Sequence, residues 1–493
     1  MKQSLLAVLL LFLFSFQLQA TEYVVGSTRE FEIAITKVKA GDFIIWKDGL
    51  YSDIKIDFSP LNNGTSEKRI VLKAQTAGKV SFSGSSQLFI SGNYLVVEGL
   101  SFEGKCTLET NENVINFKSK AKKANNEANY CRLTNCAIIN YSLAEESDKN
   151  NYYVNLIGTY NEVDNCTFIG KSNKGPVLVI EYKQDKDYVP GSDVAPSSFH
   201  RIHHNYFGYR TYSSNGGEQI RVGTSTTSFS HGFNIVEYNY FEDERIEAEI
   251  ISNKSWDNIY RFNTFIGNDG AMVVRHGQNC FVYGNYFNGK SGRNRSGGIR
   301  IINPNNTVFN NYLENIEGGK GNSKFPISIM DGLVDSPLNG YYPADKAIVA
   351  YNTVINSYGP AIKLGVVNKD VKTPKVAPKN VVIVGNLIIN TIGTSDSPFE
   401  ITDIKATFES RDNIYTNGNT NDLGFSLVKL NLLQFQNGMY NVKTKSYNKV
   451  FEEINKRLSI HGIKLSLNEI TNYNPNWILK KKDIGVSWMK NIK

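Results

Sequence analysis

Apolar positions along most of this chain come in short runs. Ile70-Val71-Leu72, Tyr94-Leu95-Val96-Val97, Asn234-Ile235-Val236 and Val381-Val382-Ile383-Val384 are rich in β-branched residues, with Gly, Asn and Ser between them. This is the pattern of many short strands joined by turns. One phrase orders them: Asn, then a small or aromatic residue, then an apolar residue, then a turn. It stands at Asn135-Cys136-Ala137, Asn165-Cys166-Thr167-Phe168, Asn205-Tyr206-Phe207, Asn239-Tyr240-Phe241, Asn263-Thr264-Phe265, Asn285-Tyr286-Phe287, Asn311-Tyr312-Leu313, Asn352-Thr353-Val354 and Asn386-Leu387-Ile388. The cleanest intervals are 24, 22 and 26 residues, between Asn239, Asn263, Asn285 and Asn311, and the 40 between Asn165 and Asn205 implies an inserted loop.

A unit of that length with several strands and no helix is one coil of a parallel β-helix, whereas a propeller blade needs about 40 to 50 residues. A coil cannot bury its own inward face, so coils must stack. Asn at a fixed point tolerates the turn and can bond to its neighbours above and below as a ladder. Ser27-Thr28-Arg29-Glu30 has capping-box spacing for a helix through Lys39, stopped by Gly41 and placed to cover the open end of the stack. Residues 447–458 form a second amphipathic helix in a polar tail. The expected organisation is residues 1–20 as a leader, 21–415 as the β-helix, and 416–493 as a C-terminal cap with a wrapped tail.

Composition narrows the function. The 493 residues carry 54 Lys+Arg against 47 Asp+Glu, a formal charge of +7, with 41% hydrophobic residues. Disorder is excluded, and without a Lys/Arg block a nucleic-acid arm is too. A mild basic excess suits an acidic ligand. Met1-Lys2, the apolar stretch Leu5 to Phe16 and Leu18-Gln19-Ala20 read as a secretory signal peptide, too short to span a bilayer. Export to the periplasm or the medium is expected, with no membrane insertion. Cys106, Cys131, Cys136, Cys166 and Cys280 are an odd set without metal-ligand spacing, read as small buried hydrophobes with one pair at most. The histidines His203, His204 and His231 are read as structural or surface groups, and Lys480-Lys481-Lys482 as a solvated run.

The chemistry lies in a second periodicity. Ile220-Arg221-Val222, Ala248-Glu249-Ile250, Val274-Arg275-His276 and Ile299-Arg300-Ile301 each set a charge between less polar neighbours, at spacings of 28, 26 and 25 residues. Ser328 and Lys363 continue the series. Stacked coil on coil, these residues make a column on one outer face, a ready groove for a linear polymer; a solvated salt-bridge ladder is the alternative. Glu247 and Glu249 project from one strand face and repel unless a cation lies between them. Hard oxygen ligands suit Ca²⁺, and Asn215 and Glu218 can add to the shell. Lys254 can meet Arg275 and His276, whose charge pushes its amine towards the neutral form a base needs. Two carboxylates on one strand beside Lys, Arg and His do not make a glycoside hydrolase pair.

Asn215-Gly216-Gly217-Glu218-Gln219-Ile220-Arg221-Val222-Gly223, Glu247-Ala248-Glu249-Ile250-Ile251-Ser252-Asn253-Lys254-Ser255, Arg275-His276-Gly277 and Gly297-Gly298-Ile299-Arg300-Ile301 resemble the polysaccharide lyase family of chondroitinase B and its related alginate lyases. The resemblance runs from Lys39-Ala40-Gly41-Asp42 to Asp483-Ile484-Gly485-Val486-Ser487-Trp488. It implies a right-handed, single-stranded parallel β-helix and β-elimination at a uronic acid. Lys254 would take the C5 proton, Arg275 would sit at the leaving O4, and His276 would assist. Asn215, Glu247 and Glu249 would bind calcium, and Arg221, Arg300 and Glu218 would hold substrate. Glu218 and the run to Ser255 resemble the alginate-cleaving branch. Ile246, and Asn303 to Asn306, depart from that branch beside the groove. A dermatan sulfate lyase and a non-catalytic polysaccharide-binding β-helix are the alternatives.

Overall fold

The computed structural model describes residues 20–489 apart from 122–126, 144–147, 183–188, 191, 193–196, 212–215, 246, 291–294, 319–323, 368–372, 392–396, 418–422, 437 and 442–447. The short apolar runs pair coil upon coil into three parallel sheets of 14, 14 and 12 strands. The first starts at Glu22–Val25, the second at Gly49–Ser52 and the third at Lys55–Phe58. The chain is the parallel β-helix its periodicity implies.

Asn205, Asn239, Asn263, Asn285, Asn311, Asn352, Asn386 and Asn413 form the ladder. From Asn239 on, each Oδ1 accepts the backbone N–H of the Asn one coil earlier at 2.9–3.1 Å, and its side-chain amide as well. These bonds satisfy buried turn amides that no strand pairs. Two members of the sequence phrase stand one residue off. The Cys166 amide donates to Asn205 Oδ1 at 2.9 Å, so Cys166, not Asn165, holds the ladder position. Asn135 and Asn165 take the preceding position, a left-handed turn with φ of 52° and 49°; Tyr238 and Phe262 hold it later, at 53° and 56°. Asn adopts that region at little cost. A bulky residue there needs support, and Tyr238 has it, its ring stacked between those of His204 and Phe262.

Inside the coil, Phe168, Phe207, Phe241, Phe265 and Phe287 stack in one column with centroids 4.4–5.2 Å apart. Each fully buried ring stabilises the fold by about 1.5–3 kcal/mol. All five cysteines are free, so no pair forms, and all but Cys106 are buried.

The N-terminal helix is Thr28–Ile35, capped by Ser27, whose Oγ accepts the Glu30 amide. It ends four residues short of Lys39, because the chain turns at Thr36 and sends Val38 into the core. Phe31 and Ala34 are buried, and the Phe31 ring meets Trp46. The helix Asn448–Leu458 lies along the outside of the first sheet, with Val450, Ile454 and Leu458 packed on Ile259, Phe281, Tyr283 and Phe309. From there the tail runs back over earlier coils. Leu479 bonds Thr264, Val486 bonds Thr167, and the Trp488 indole donates to the Asn135 carbonyl. Lys481 is not simply solvated: its amine pairs with Glu242 at 2.6 Å. No helix among the described residues is long and apolar enough to cross a membrane.

Candidate active site

On the outer face of the third sheet, strand register places Arg221, Ser252, Val273, Arg300, Ser328 and Lys363 side by side on successive coils. Arg221, Arg300, Ser328 and Lys363 stand in the expected column. Glu249 and Arg275 do not. The register shifts between Glu249 and Ile251, and the strand Ala271–Val274 ends before Arg275. Side-chain reach restores the cluster: Arg275 Nη1 donates to Glu249 Oε1 at 3.0 Å and Arg300 Nη2 donates to the same oxygen at 2.8 Å. Burial opposes ionisation of Glu249, but the two guanidiniums outweigh it and hold the carboxyl down at about 2.

Glu247 lies deeper. Its Oε2 accepts the amides of Gly216 (3.1 Å) and Gly217 (2.9 Å), and its Oε1 accepts that of Ala248. Burial raises its pKa, and the charges of Glu218 and Glu249 add to the rise. Glu218 is buried too, its Oε2 and the Oε2 of Glu249 lacking hydrogen-bond partners among the described residues. Glu218, Glu247 and Glu249 are near enough for their charges to interact, although their oxygens do not all lie within 4.8 Å of one another; two of them carry orphaned buried oxygens, hard donors of the kind a divalent cation takes. Asn215 and Ile246 lie outside the described residues.

Lys254 follows the strand Glu249–Asn253, its backbone amide tied to Val222 O at 2.7 Å. Burial lowers its pKa, Arg275 and Arg221 push the same way, and Glu218 and Glu249 oppose them. The amine thus shares one electrostatic neighbourhood with both arginines and both carboxylates. His276 is buried, with neither ring nitrogen hydrogen-bonded among the described residues. Burial, Arg275 and Lys254 push it down to about 3, so its imidazole is neutral at ordinary pH. Arg221 donates to the Tyr152 hydroxyl at 3.0 Å and lies over its ring. The Nε groups of Arg221, Arg275 and Arg300 are buried without acceptors among the described residues. The site thus has a deprotonatable amine, fixed guanidiniums and unspent donors on one face.

Three groups escaped the sequence reading. Arg210, fully buried, donates to the carbonyls of Asn173, Gly175 and Glu218 and so fixes the loop bearing Glu218. Lys324 donates to the Asp269 carbonyl, and burial lowers its pKa to about 8. Tyr341 comes from a distant loop. None sits in a motif or on the coil period.

One group of three potential ligands among the described residues, Glu162, Asp164 and His203, has ligand atoms within 4.8 Å of one another. It lies on the first sheet, and arginines already occupy it: Arg132 binds Asp164 at 2.7 Å, and His203 bonds Glu162. Clefts of about 550 and 640 Å³, lined by Glu98, Asn165 and Ser487 and by Cys106, Ser142 and Tyr209, also lie away from the column.

A family model described as chondroitinase B matches residues 25–465. The chain belongs to the chondroitinase B family. Among solved structures, that of the family 6 alginate lyase AlyGC is 29% identical over 95% of this chain, with a TM-score of 0.78. This chain covers 59% of that protein, about three-fifths of its length. A mannuronic acid specific family 6 lyase from human gut microbiota is 26% identical, covered to 97% by 93% of this chain, at a TM-score of 0.71. A family 6 polysaccharide lyase from Pseudopedobacter saltans is 25% identical, covered to 99% by 94% of this chain, at 0.65. No curated protein matches the sequence.

Proposed function

We propose that this member of the chondroitinase B family is an exported, calcium-dependent lyase that cleaves alginate by β-elimination at uronic acid residues. The observation that carries the reading is the half-buried Lys254 amine, lowered in pKa, in one electrostatic neighbourhood with Arg275 and three buried carboxylates. Two solved relatives whose names state alginate or mannuronic acid lyase activity share the fold over nearly the whole of this chain.

In this reading Arg221 and Arg300 hold sugar carboxylates along the column, with Glu218 beside them. Lys254 removes the proton from C5, and the C4–O4 bond breaks as the C4–C5 double bond forms. Arg275, kept in place by Glu249, stabilises the departing oxygen. The neutral His276 assists as a fixed dipole. A calcium ion held by Asn215, Glu247 and the free oxygen of Glu249 would neutralise the sugar carboxylate and so acidify the C5–H.

A panel of alginate, polymannuronate, polyguluronate and dermatan sulfate, followed in the ultraviolet, tests this. Absorbance from the conjugated uronate should rise with alginate, fall away with a chelator and return with calcium. Cleavage of dermatan sulfate alone would move the substrate to that polymer, and binding without any absorbance change would make the protein a binding module. Residues 1–20 are proposed to direct export; the mature N-terminus of secreted protein, read by mass spectrometry, checks it.

A further inference from the structure

We propose that Asp331 and Asp403 form a second cation site, apart from the groove and independent of the lyase reading, which holds a calcium ion near the last strands of the third sheet. Asp331 follows the strand Ile327–Met330 and is 2% exposed. Neither oxygen of its carboxyl has a hydrogen-bond partner among the described residues. A buried carboxyl left bare in this way loses its hydration with nothing in return, a cost that folded proteins meet with an ordered water or an ion.

The backbone brings a second carboxyl to this place. Ile327–Met330 pairs with Ile362–Val366, which pairs in turn with Phe399–Ile401. Ile329 faces Leu364 but Met330 faces Val366, so Gly365 stands out of register, with a left-handed φ of 81°. On one side of that bulge the Asp331 amide donates to Val366 O at 3.0 Å. On the other the Thr402 amide donates to Leu364 O at 2.8 Å and its Oγ1 to Gly365 O at 2.9 Å. Asp403 comes next, and its amide nitrogen and Cβ lie 2.6 and 2.8 Å from the point where a side chain on Gly365 would begin. Only glycine leaves that space to Asp403. The two acids thus flank the bulge with no side chain between them. Their carboxyls feel each other: burial, and then Asp403, push the Asp331 carboxyl up to about 7. The Lys405 amide donates to Asp403 Oδ1 at 2.9 Å and so orients that carboxyl. Lys375, on the strand Lys375–Val376 that pairs with Gly332–Leu333, is the cation that faces the pair, and it bonds neither oxygen of Asp331. One ammonium against two carboxylates leaves a negative charge over. All the ligands are hard oxygens, and the half-exposed Asp403 leaves access for water, a combination suited to calcium with its irregular shells. An ion here joins three successive coils at one point. It also anchors the loop that Asp331 opens, whose Ala344 amide returns to Met330 O at 3.2 Å.

Calcium titrated calorimetrically into chelator-stripped protein tests this, with stoichiometry as the readout. Asp331→Asn keeps the shape of the side chain and removes its charge. Asp403→Asn repeats the test at a half-exposed residue, where the core is left alone. Each variant should bind one calcium ion fewer than wild type. In Glu247→Gln, which disables the ion proposed for the groove, calcium at about a hundred times its Kd should still raise Tm by about 3 °C. Adding Asp331→Asn to that variant should abolish the rise. Wild-type stoichiometry in both aspartate variants overturns the site and leaves the two acids sharing a proton. If Glu247→Gln binds as many ions as wild type while Asp331→Asn binds one fewer, this site stands and the calcium of the lyase reading falls.

Discussion

Two outer faces of this coil carry columns of charge, and they are built to opposite ends. On the first sheet the central charges pair with one another. Arg132 meets Asp164, Arg201 and Arg261 share the two oxygens of the buried Glu237, Arg261 also bonds the Tyr283 hydroxyl, and His203 bonds Glu162. On the third sheet the charges are as dense, yet three guanidinium Nε groups, two carboxylate oxygens and both nitrogens of His276 find no partner among the described residues. Leaving buried polar groups unmatched costs about 1–3 kcal/mol each. The first column has the pairing of a structural ladder. The third leaves donors and acceptors open, which in the function proposed above would meet a charged ligand.

The sharpest break between the two faces is at Lys254. Lys254→Ala should lower the elimination rate by about 10³-fold or more while leaving polymer binding and the circular dichroism spectrum close to wild type. A variant that keeps a tenth of the activity would remove the amine from the reaction.

A matched pair of substitutions tests the contrast itself. Glu249 and Glu237 each neutralise two arginines from a buried position. Removing either strands those cations, at a cost of about 3 kcal/mol in stability, and less for Glu237 because Arg201 is half exposed. Both variants should therefore unfold at lower urea concentration than wild type. Only Glu249→Ala should also lose about 10²-fold in kcat, since Arg275 would drift from the leaving oxygen; Glu237→Ala should keep kcat within about twofold. If both lose activity alike, the first sheet is no mere ladder.

Much of this was legible in the sequence, and the failures have physical causes. The coil could be read because its Asn ladder must recur at one place per turn, and Asn239, Asn263, Asn285 and Asn311 do so. Asn135 and Asn165 misled by one residue because two adjacent turn positions both accept Asn, one for its hydrogen bonds and one for its left-handed backbone. In the site, Arg221 and Arg300 fell on the column from spacing alone. Glu249 and Arg275 were placed there too, but a register shift and a strand end moved their backbones off it, and only long side chains brought them back. Arg210 left no trace: it fixes a loop whose path no periodicity encodes.

The smallest effect expected is a shift in pH profile, and its sign is fixed by the neighbours of Lys254. The reactive form is the neutral amine, so the rate should climb with pH through the lysine's pKa and level off above it. That pKa lies below the ordinary 10.5 because burial, Arg275 and Arg221 all disfavour the ammonium. Arg221→Gln removes one of those cations. The ammonium then becomes easier to hold, the pKa rises, and the ascending limb moves to higher pH by about one unit or less. Glu218→Gln removes a charge of the other sign and should move the limb to lower pH. Opposite displacements in kcat, measured with saturating alginate, would show that the amine reads the charges of this face and none from the paired ladder. The same displacement in both variants would mean that the limb belongs to another group.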